Sequence, residues 1–489
     1  MEKLTSLSVT PLLPVAVCLM AGITVGSWWS LGFPMLYVLM AAIATAFACR
    51  RWAVMQTVAI LVCCVALGMT LAQVQGRDNE DFHGRELHGV VMSEPAERPK
   101  TIGVDILIPS NGRLLRCYLW KEERSRALKL GDAIVICSNG QARDTAPTVN
   151  KAIQTGGTAL TFVHRNEWYS GGNALQQMSR WQRTRLWFLK QRHKLLERYR
   201  DFYTDDTYAV LAAMTLGDKS AQTNGLRETF AISGASHILA ISGLHIGIVY
   251  MLLTWIMLGR RRFWLSQVLT VSAIWAFAML TGLSASVTRA ATMITIYAVF
   301  AERGGRSSPI NVLCFAAIVI LVADVQTLFD IGFQLSFSAV LAILLFMPLL
   351  QKLYQPNCSI LRWIWNLCLM SLSAQMGVAP LIAYYFGRFS TYFLLTNLLV
   401  IPAATFILYG ALIALLFPPA SVALLWVVQQ MNSWLRLIAS LPGASIDDLH
   451  PTKIQVLLTY VFIILCYLIM RKVVPLNRIN SAKNIQKRN

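Results

Sequence analysis

Between residues 237 and 470 one apolar run follows another, each about 16 or more residues long and parted by short polar joints. Such a chain has few choices. A bilayer core offers no water to satisfy peptide N–H and C=O groups, so a spanning run must close its hydrogen bonds internally, as a helix does. The runs fall near 237–258, 263–281, 286–301, 309–323, 330–349, 362–385, 391–416, 420–440 and 454–470. Three more precede them, near Leu12 to Trp29, Phe33 to Cys49 and Ala53 to Gln73. Composition agrees: 56% of the 489 residues are hydrophobic and 14% charged, against about 25% charged in soluble domains. The expected fold is a polytopic α-helical membrane protein of about 12 spans.

The net charge of +19 is large for so apolar a chain, and it favours anionic lipid heads or nucleic-acid phosphates as partners. It also sets orientation. Arg50 and Arg51, Arg260 to Arg262, Arg303 and Arg306, Lys352 and Arg362, and the basic tail 472–489 all fall on one side if the spans alternate. Basic short loops stay inside. Both termini are then cytoplasmic, and the polar insert after the third span lies outside. MEKLTSLSVT shows no cleavage-site pattern, so the first run in residues 1–75 reads as an uncleaved span.

The insert divides in two. Residues 82–165 hold five short strand-like segments, LHGVVMSEP, TIGVDILIP, LLRCYLW, GDAIVICSN and TALTFVH, punctuated by turn residues. They suit a small OB-fold-like β-barrel, or an unspecified β-sandwich. Cys117 and Cys137 would sit in its strands. Outside the cell they could pair as a disulfide, or remain core thiols. The other cysteines lie in apolar segments or a short loop without metal-ligand spacing, and read as small packing residues.

Residues 171–203 form a basic amphipathic helix. Arg180, Arg183, Arg185, Lys190, Arg192 and Lys194 interleave with Trp181, Leu186, Trp187, Leu189, Leu195 and Leu196. One reading lays it on the lipid surface with its aromatics at the interface. Another has it gather DNA phosphates at a pore mouth. The two are compatible.

In the block 205–471 the polar residues gather at the joints assigned to the outside. Lys219 stands in TLGDKS; His237, Ser242, Gly243 and His245 in GASHILAISGLHIGIVY; Ser284 and Arg289 in LTGLSASVTRAATM; Gln334 and Ser336 in DIGFQLSFSAV; and Asn397 in TNLLVIP. A helix from 237 would put His237 and His245 near one face, about 12 Å apart along the axis. Polar groups and breaks at membrane depth are tolerated where they line a cavity. Each alone reads more simply as an interhelical hydrogen bond. Their shared side points to one polar chamber. The histidines form no HxH or HExxH, and no P-loop is present. No metal, cofactor or catalytic set is expected. Ser242 with His245 lacks the third partner and oxyanion pattern of a serine enzyme.

ASHILAISGLHIGIV resembles the signature of the ComEC competence family, and TLGDKS, TGLSASVTRAATM, DIGFQLSFSAV, FGRFS and TNLLVIP resemble that family's further elements in order. The resemblance covers about 82–165 and 205–440. It implies an outer OB-fold, a multi-helix competence domain and a channel passing single-stranded DNA through the bacterial inner membrane; with no nuclease or ATPase motif seen, no enzyme activity is expected of this chain. Longer members carry a metallo-β-lactamase-like domain, whose HxHxDH motif is not seen here. Implied partners are a cytoplasmic helicase or motor, an outer DNA receptor and a separate nuclease. The competing classes are a small-solute transporter, which would more often show repeated halves, and an intramembrane enzyme.

Overall fold

The computed structural model describes residues 10–28, 35–76, 86–97, 100–137, 159–163, 167–257, 263–302 and 308–486. Helices α1 (Leu12–Trp28), α2 (Met35–Ala48) and α3 (Ala53–Gly76) come first. Strands β1 (Glu86–Val91), β2 (Ala96–Glu97), β3 (Thr101–Leu107), β4 (Leu114–Trp120), β5 (Ala133–Cys137), β6 (Ala159–Val163) and β7 (Trp168–Ser170) follow. Then come α4 (Arg180–Phe202), α5 (Asp205–Leu211), α6 (Asn224–Ile232), α7 (Gly243–Met257), α8 (Phe263–Leu280), α9 (Ala285–Glu302), α10 (Pro309–Ala323), α11 (Ile331–Leu353) and α12 (Ser359–Phe386). A two-residue strand β8 (Phe389–Ser390), α13 (Phe393–Leu416), α14 (Ala420–Ser440), β9 (Ser445–Ile446) and α15 (Lys453–Gln486) complete it.

Every apolar run named above overlaps one of these helices. Five are long and apolar enough to cross a membrane: Ala53–Gln75, Ile331–Leu353, Ser359–Phe386, Phe393–Leu415 and Lys453–Val473. Five more are apolar but shorter: Leu12–Trp28, Gly243–Met257, Leu265–Leu280, Ala285–Phe300 and Pro309–Ala323. The chain is a membrane protein. It forms two compact units, Met1–Arg198 with Trp275–Ser284 and Cys314–Asp330, and Tyr199–Ile274 with Ala285–Leu313 and Ile331–Asn489.

In the first unit, α1 and α3 approach at their glycines. A Cβ on Gly22 would stand 2.1 Å from the Val65 carbonyl oxygen, and one on Gly68 2.5 Å from that of Leu19. Where lipid tails are as apolar as any side chain, backbone approach of this kind is how helices gain contact. Gln75 at the end of α3 accepts from Val325 N–H (2.9 Å) and donates to Val322 O (3.1 Å), satisfying both sides of its amide.

The strands form one small half-barrel sheet in the order β6-β4-β3-β1-β5-β7, with β2 beside β3. All neighbours are antiparallel except β4 and β6. Side chains alternate between two cores, as the pleat requires. Val91, Ile106, Leu115, Leu119 and Ile134 fill one. Val90 and Leu107, one residue along, enter the other with Ala174, Met178, Leu186 and Leu189. Helix α4 therefore spends its leucine face on the sheet and not in lipid, which corrects the surface-helix reading of that face.

Of the two readings left open for Cys117 and Cys137, the fold favours a core thiol at Cys117 over the disulfide. Cys117 is a free thiol, fully buried in β4, and burial pushes its pKa up. It stands opposite Val104 and Thr161. Cys137 is on β5, and β3 and β1 lie between the two strands in the sheet. A disulfide needs Cα atoms about 4.4–6.8 Å apart, whereas three strand spacings of about 4.8 Å separate β4 from β5 across the sheet.

A third difference falls in GASHILAISGLHIGIVY. Residues 235–242 are turns, and the helix begins at Gly243. His237 and His245 therefore share no helix face. Gly234, at φ 83°, turns the chain, and a Cβ there would lie 2.9 Å from the Ser390 side chain. Hydropathy registers composition and is blind to this left-handed break.

Candidate functional site

The second unit carries the clustered motifs. Helix α5 runs into a wide turn, Ala212–Leu216, buried throughout and closed by Gly217 in the left-handed region at φ 73°. Such wide turns interrupt helices mostly where a local geometry is needed. Asp218 N–H donates to Ala212 O (3.0 Å), while its carboxylate accepts from Ser220 N–H (3.1 Å) and Oγ–H (2.7 Å). This rigid turn presents Lys219 at its exposed tip.

Arg227 of α6 braces the turn, donating to Lys219 O (3.3 Å) and to Gln222 Oε1 (3.2 Å). The surrounding chain partly desolvates the Lys219 ammonium and Arg227 adds a like charge, so its pKa is lowered from the usual lysine value. Gln222 Nε2 then donates to Leu239 O (3.4 Å). That bond ties the Lys219 turn to the broken segment 235–242. Neither Gln222 nor Arg227 was marked by the motif reading, since each acts on backbone atoms a few residues away.

Ser242 caps α7. His245 Nδ1 accepts from Ser242 N–H (3.2 Å) and from its Oγ–H (3.0 Å). This is the half of a capping box in which the third helical residue accepts from the N–H before the helix, with imidazole where Glu or Gln usually stands. With Nδ1 as acceptor, the neutral ring carries its proton on Nε2, an assignment from hydrogen-bond geometry. His245 is 0% exposed, and its Nε2 has no partner among the described residues. His237 lies at the surface, Nδ1 3.2 Å from Gly234 O. A Cβ on Gly243 would meet Ala290 Cβ of α9 at 3.8 Å, and the neighbouring Arg289 is buried. Tyr409 O–H of α13 donates to Ile248 O (3.0 Å), fixing α7 on its other side.

The Lys219 turn, Ser242, Gly243, His245 and the α9 turn holding Arg289 are thus joined by contacts, while His237 bonds within its own segment. Gln334 is engaged elsewhere on α11, accepting from Tyr385 O–H (2.7 Å). Ser336 is half-buried two residues further on, on the other side of the helix. Asn397 is the fifth residue of α13, its Oδ1 and the neighbouring Thr396 Oγ1 buried without a partner among the described residues. Ser284 belongs to the first unit.

A clamp built on Arg388 of FGRFS, whose partners the motifs did not mark, closes this region. Arg388, after the left-handed Gly387, donates to Glu228 of α6 (2.8 Å) and pairs with Asp447. Strand β8 pairs with β9 beside it. The partners lie 160 and 59 residues away; only the fold could reveal them. Among the described residues no group of three or more His, Cys, Asp or Glu could hold a metal ion.

A mainly helical unit rich in bilayer-length helices, with its motif turns gathered at helix starts, defines a multi-helix membrane domain. The chain belongs to the competence protein family, whose model matches residues 214–473. It is similar to ComE operon protein 3 of Bacillus subtilis (strain 168), 31% identical over 278 residues, 55% of this chain and 35% of that protein. It is also similar to Competence protein ComA of Neisseria gonorrhoeae, 29% identical over 149 residues, 28% of this chain and 21% of that protein. An uncharacterized protein of Aquifex aeolicus (strain VF5) is 28% identical over 231 residues, 46% and 53% of the two chains. The matches cover under two thirds of each relative. No solved structure matches the chain.

Proposed function

We propose that this protein passes single-stranded DNA across the bacterial inner membrane during natural transformation, acting as a channel and not as an enzyme. The observation that carries this reading is the joining of separate family motifs, the Lys219 turn, the Ser242–His245 cap and the start of α9, into one cluster in the segment matched by the competence family. Lys219 and Arg289 attract the backbone phosphates, and Gln334, Ser336 and Asn397 offer weak polar contacts along the path. The sheet supports an OB-fold reading: β1 pairs with both β3 and β5, and β4 runs parallel to β6. In this reading a strand-binding barrel lies outside, the chain crosses the membrane about 12 times, and both termini are cytoplasmic, as the basic short joints suggest. A cytoplasmic helicase or motor supplies force, with an outer receptor and a separate nuclease delivering the strand.

The test is uptake of labelled DNA in a deletion strain complemented with wild type, Lys219→Ala or Arg289→Ala. Wild type is expected to restore uptake and the variants to lower it at equal membrane abundance. Normal DNA uptake in the deletion strain, with loss of a metabolite's transport, overturns the channel reading in favour of a solute transporter. The Ser242–His245 hydrogen bond favours no hydrolase, because Nδ1 is shared with the helix-capping N–H.

The orientation has its own check. Cys358 is the exposed cysteine among those described. The amide N–H groups of Leu361 and Ile360 donate to its sulfur and lower its pKa. A membrane-impermeant maleimide is expected to label Cys358 rapidly in inverted vesicles and not in intact cells. Labelling in intact cells, located by mass spectrometry, reverses the topology.

A further inference from the structure

The packing of α4 turns one face of that helix toward the sheet and leaves the opposite face open. Gln182, Leu186, Leu189 and Leu196 are buried, and Leu186 and Leu189 enter the core behind β1 and β3. Arg180, Arg183, Trp187, Lys190, Lys194 and Arg198 are all exposed. Their spacing of three and four residues aligns them on one stripe, about 27 Å long at 1.5 Å per residue. Trp187, 56% exposed, sits near its middle. The only acid between Arg180 and Arg200 is Glu197, which is held by His193 (3.3 Å). His193 in turn pairs with Glu94 at 2.5 Å, fixing the helix to the β domain. Arg185 and Arg192 face away from the stripe and are half-buried.

An anionic bilayer and a nucleic-acid strand both offer phosphates. The helix face separates them. A helix lying in a membrane buries a broad apolar face at the acyl boundary, and here that face is already occupied by the sheet. What remains outward along the stripe is a row of cations around the exposed indole of Trp187, with the equally exposed Trp181 off the stripe beside Arg180; cations around an indole are the combination that holds a strand by phosphate contact and base stacking. We infer that the α4 stripe centred on Trp187 is a binding surface for single-stranded nucleic acid. It deepens the channel reading and rests on it. The strand lies along α4 with its backbone on Arg180, Arg183, Lys190 and Lys194 and one base stacked on Trp187.

The test uses the full-length protein in zwitterionic nanodiscs and a fluorescent oligothymidylate. Replacing Arg180, Arg183, Lys190 and Lys194 by Gln together is expected to weaken binding and to lower the slope of log affinity against log salt by about 3, at about 0.7 per lost phosphate contact. Trp187→Ala, which keeps all the charge, is expected to weaken binding at least about fivefold with the slope unchanged. Arg185→Gln with Arg192→Gln serves as the matched control and leaves affinity near wild type. Wild-type affinity and slope in the fourfold variant overturn the inference. So does a variant that loses only its association with anionic vesicles, which assigns the stripe to lipid headgroups. Failure of the channel reading shows differently, as normal DNA uptake in cells lacking the protein.

Discussion

Gly377→Leu is expected to abolish the folded protein, and even Gly377→Ala to destabilise it by about 3 kcal/mol or more. Gly377 is buried in α12 where α11 crosses it. An added Cβ would stand 2.4 Å from the Ser338 carbonyl oxygen and 2.7 Å from Ala342 Cβ. The nearer atom is backbone, so no rotamer change relieves the overlap; the two helices must part. Parting them also pulls on α15, whose Tyr460 O–H donates to Gly377 O at 2.7 Å. One methyl group thus disturbs three helices, all of bilayer length. Gly247 in α7 is the control. A Cβ there meets nothing within 4 Å, so Gly247→Ala is expected to raise stability by about 0.5–1 kcal/mol through the helix propensity of alanine. Thermal unfolding in detergent, followed by size-exclusion monodispersity, measures both. Equal midpoints for Gly377→Ala and wild type would refute the close approach of α11 and α12.

Much of this fold was legible because its signals are local. Each long apolar run became a helix, since a bilayer-length run admits little else. The five main strands lay where β-rich segments met turn residues. The short β2 and β7 escaped notice, for two or three residues cannot display a period. What failed was what depends on partners. The leucine face of α4 was plain in the sequence, but lipid and sheet are equally apolar, and hydrophobicity cannot say which covers it. The pairing of Cys117 with Cys137 required a strand order that two cysteines do not encode. The Arg388 clamp joins residues far apart in the chain. At the candidate site, the residue types at 219, 242 and 245 were readable. Their roles were not, because Gln222 and Arg227 act by holding backbone carbonyls.

His245 shows how much such a role matters. The sequence leaves it between wall and packing group; the geometry favours packing. It is fully buried and its Nδ1 is already an acceptor within the cap of α7. A passing strand could reach the ring only by lifting the helix start. His245→Gln keeps an acceptor at the third helical position, where Gln completes a capping box with Ser. It is therefore expected to fold, insert and support DNA uptake near the wild-type level. His245→Ala removes the cap and leaves a cavity, and is expected to cost about 2–4 kcal/mol, with uptake falling in step with the amount of inserted protein. If the Gln variant instead inserts normally while uptake drops about tenfold or more, equivalent to 1.4 kcal/mol, the imidazole takes part in transport and the packing account is wrong. His237 provides the contrast. It lies at the surface with its ring beside Gly234 O, so His237→Ala should leave the unfolding midpoint unchanged. Any loss of uptake in that variant then reports directly on contact with the strand, because no structural debt stands in the way.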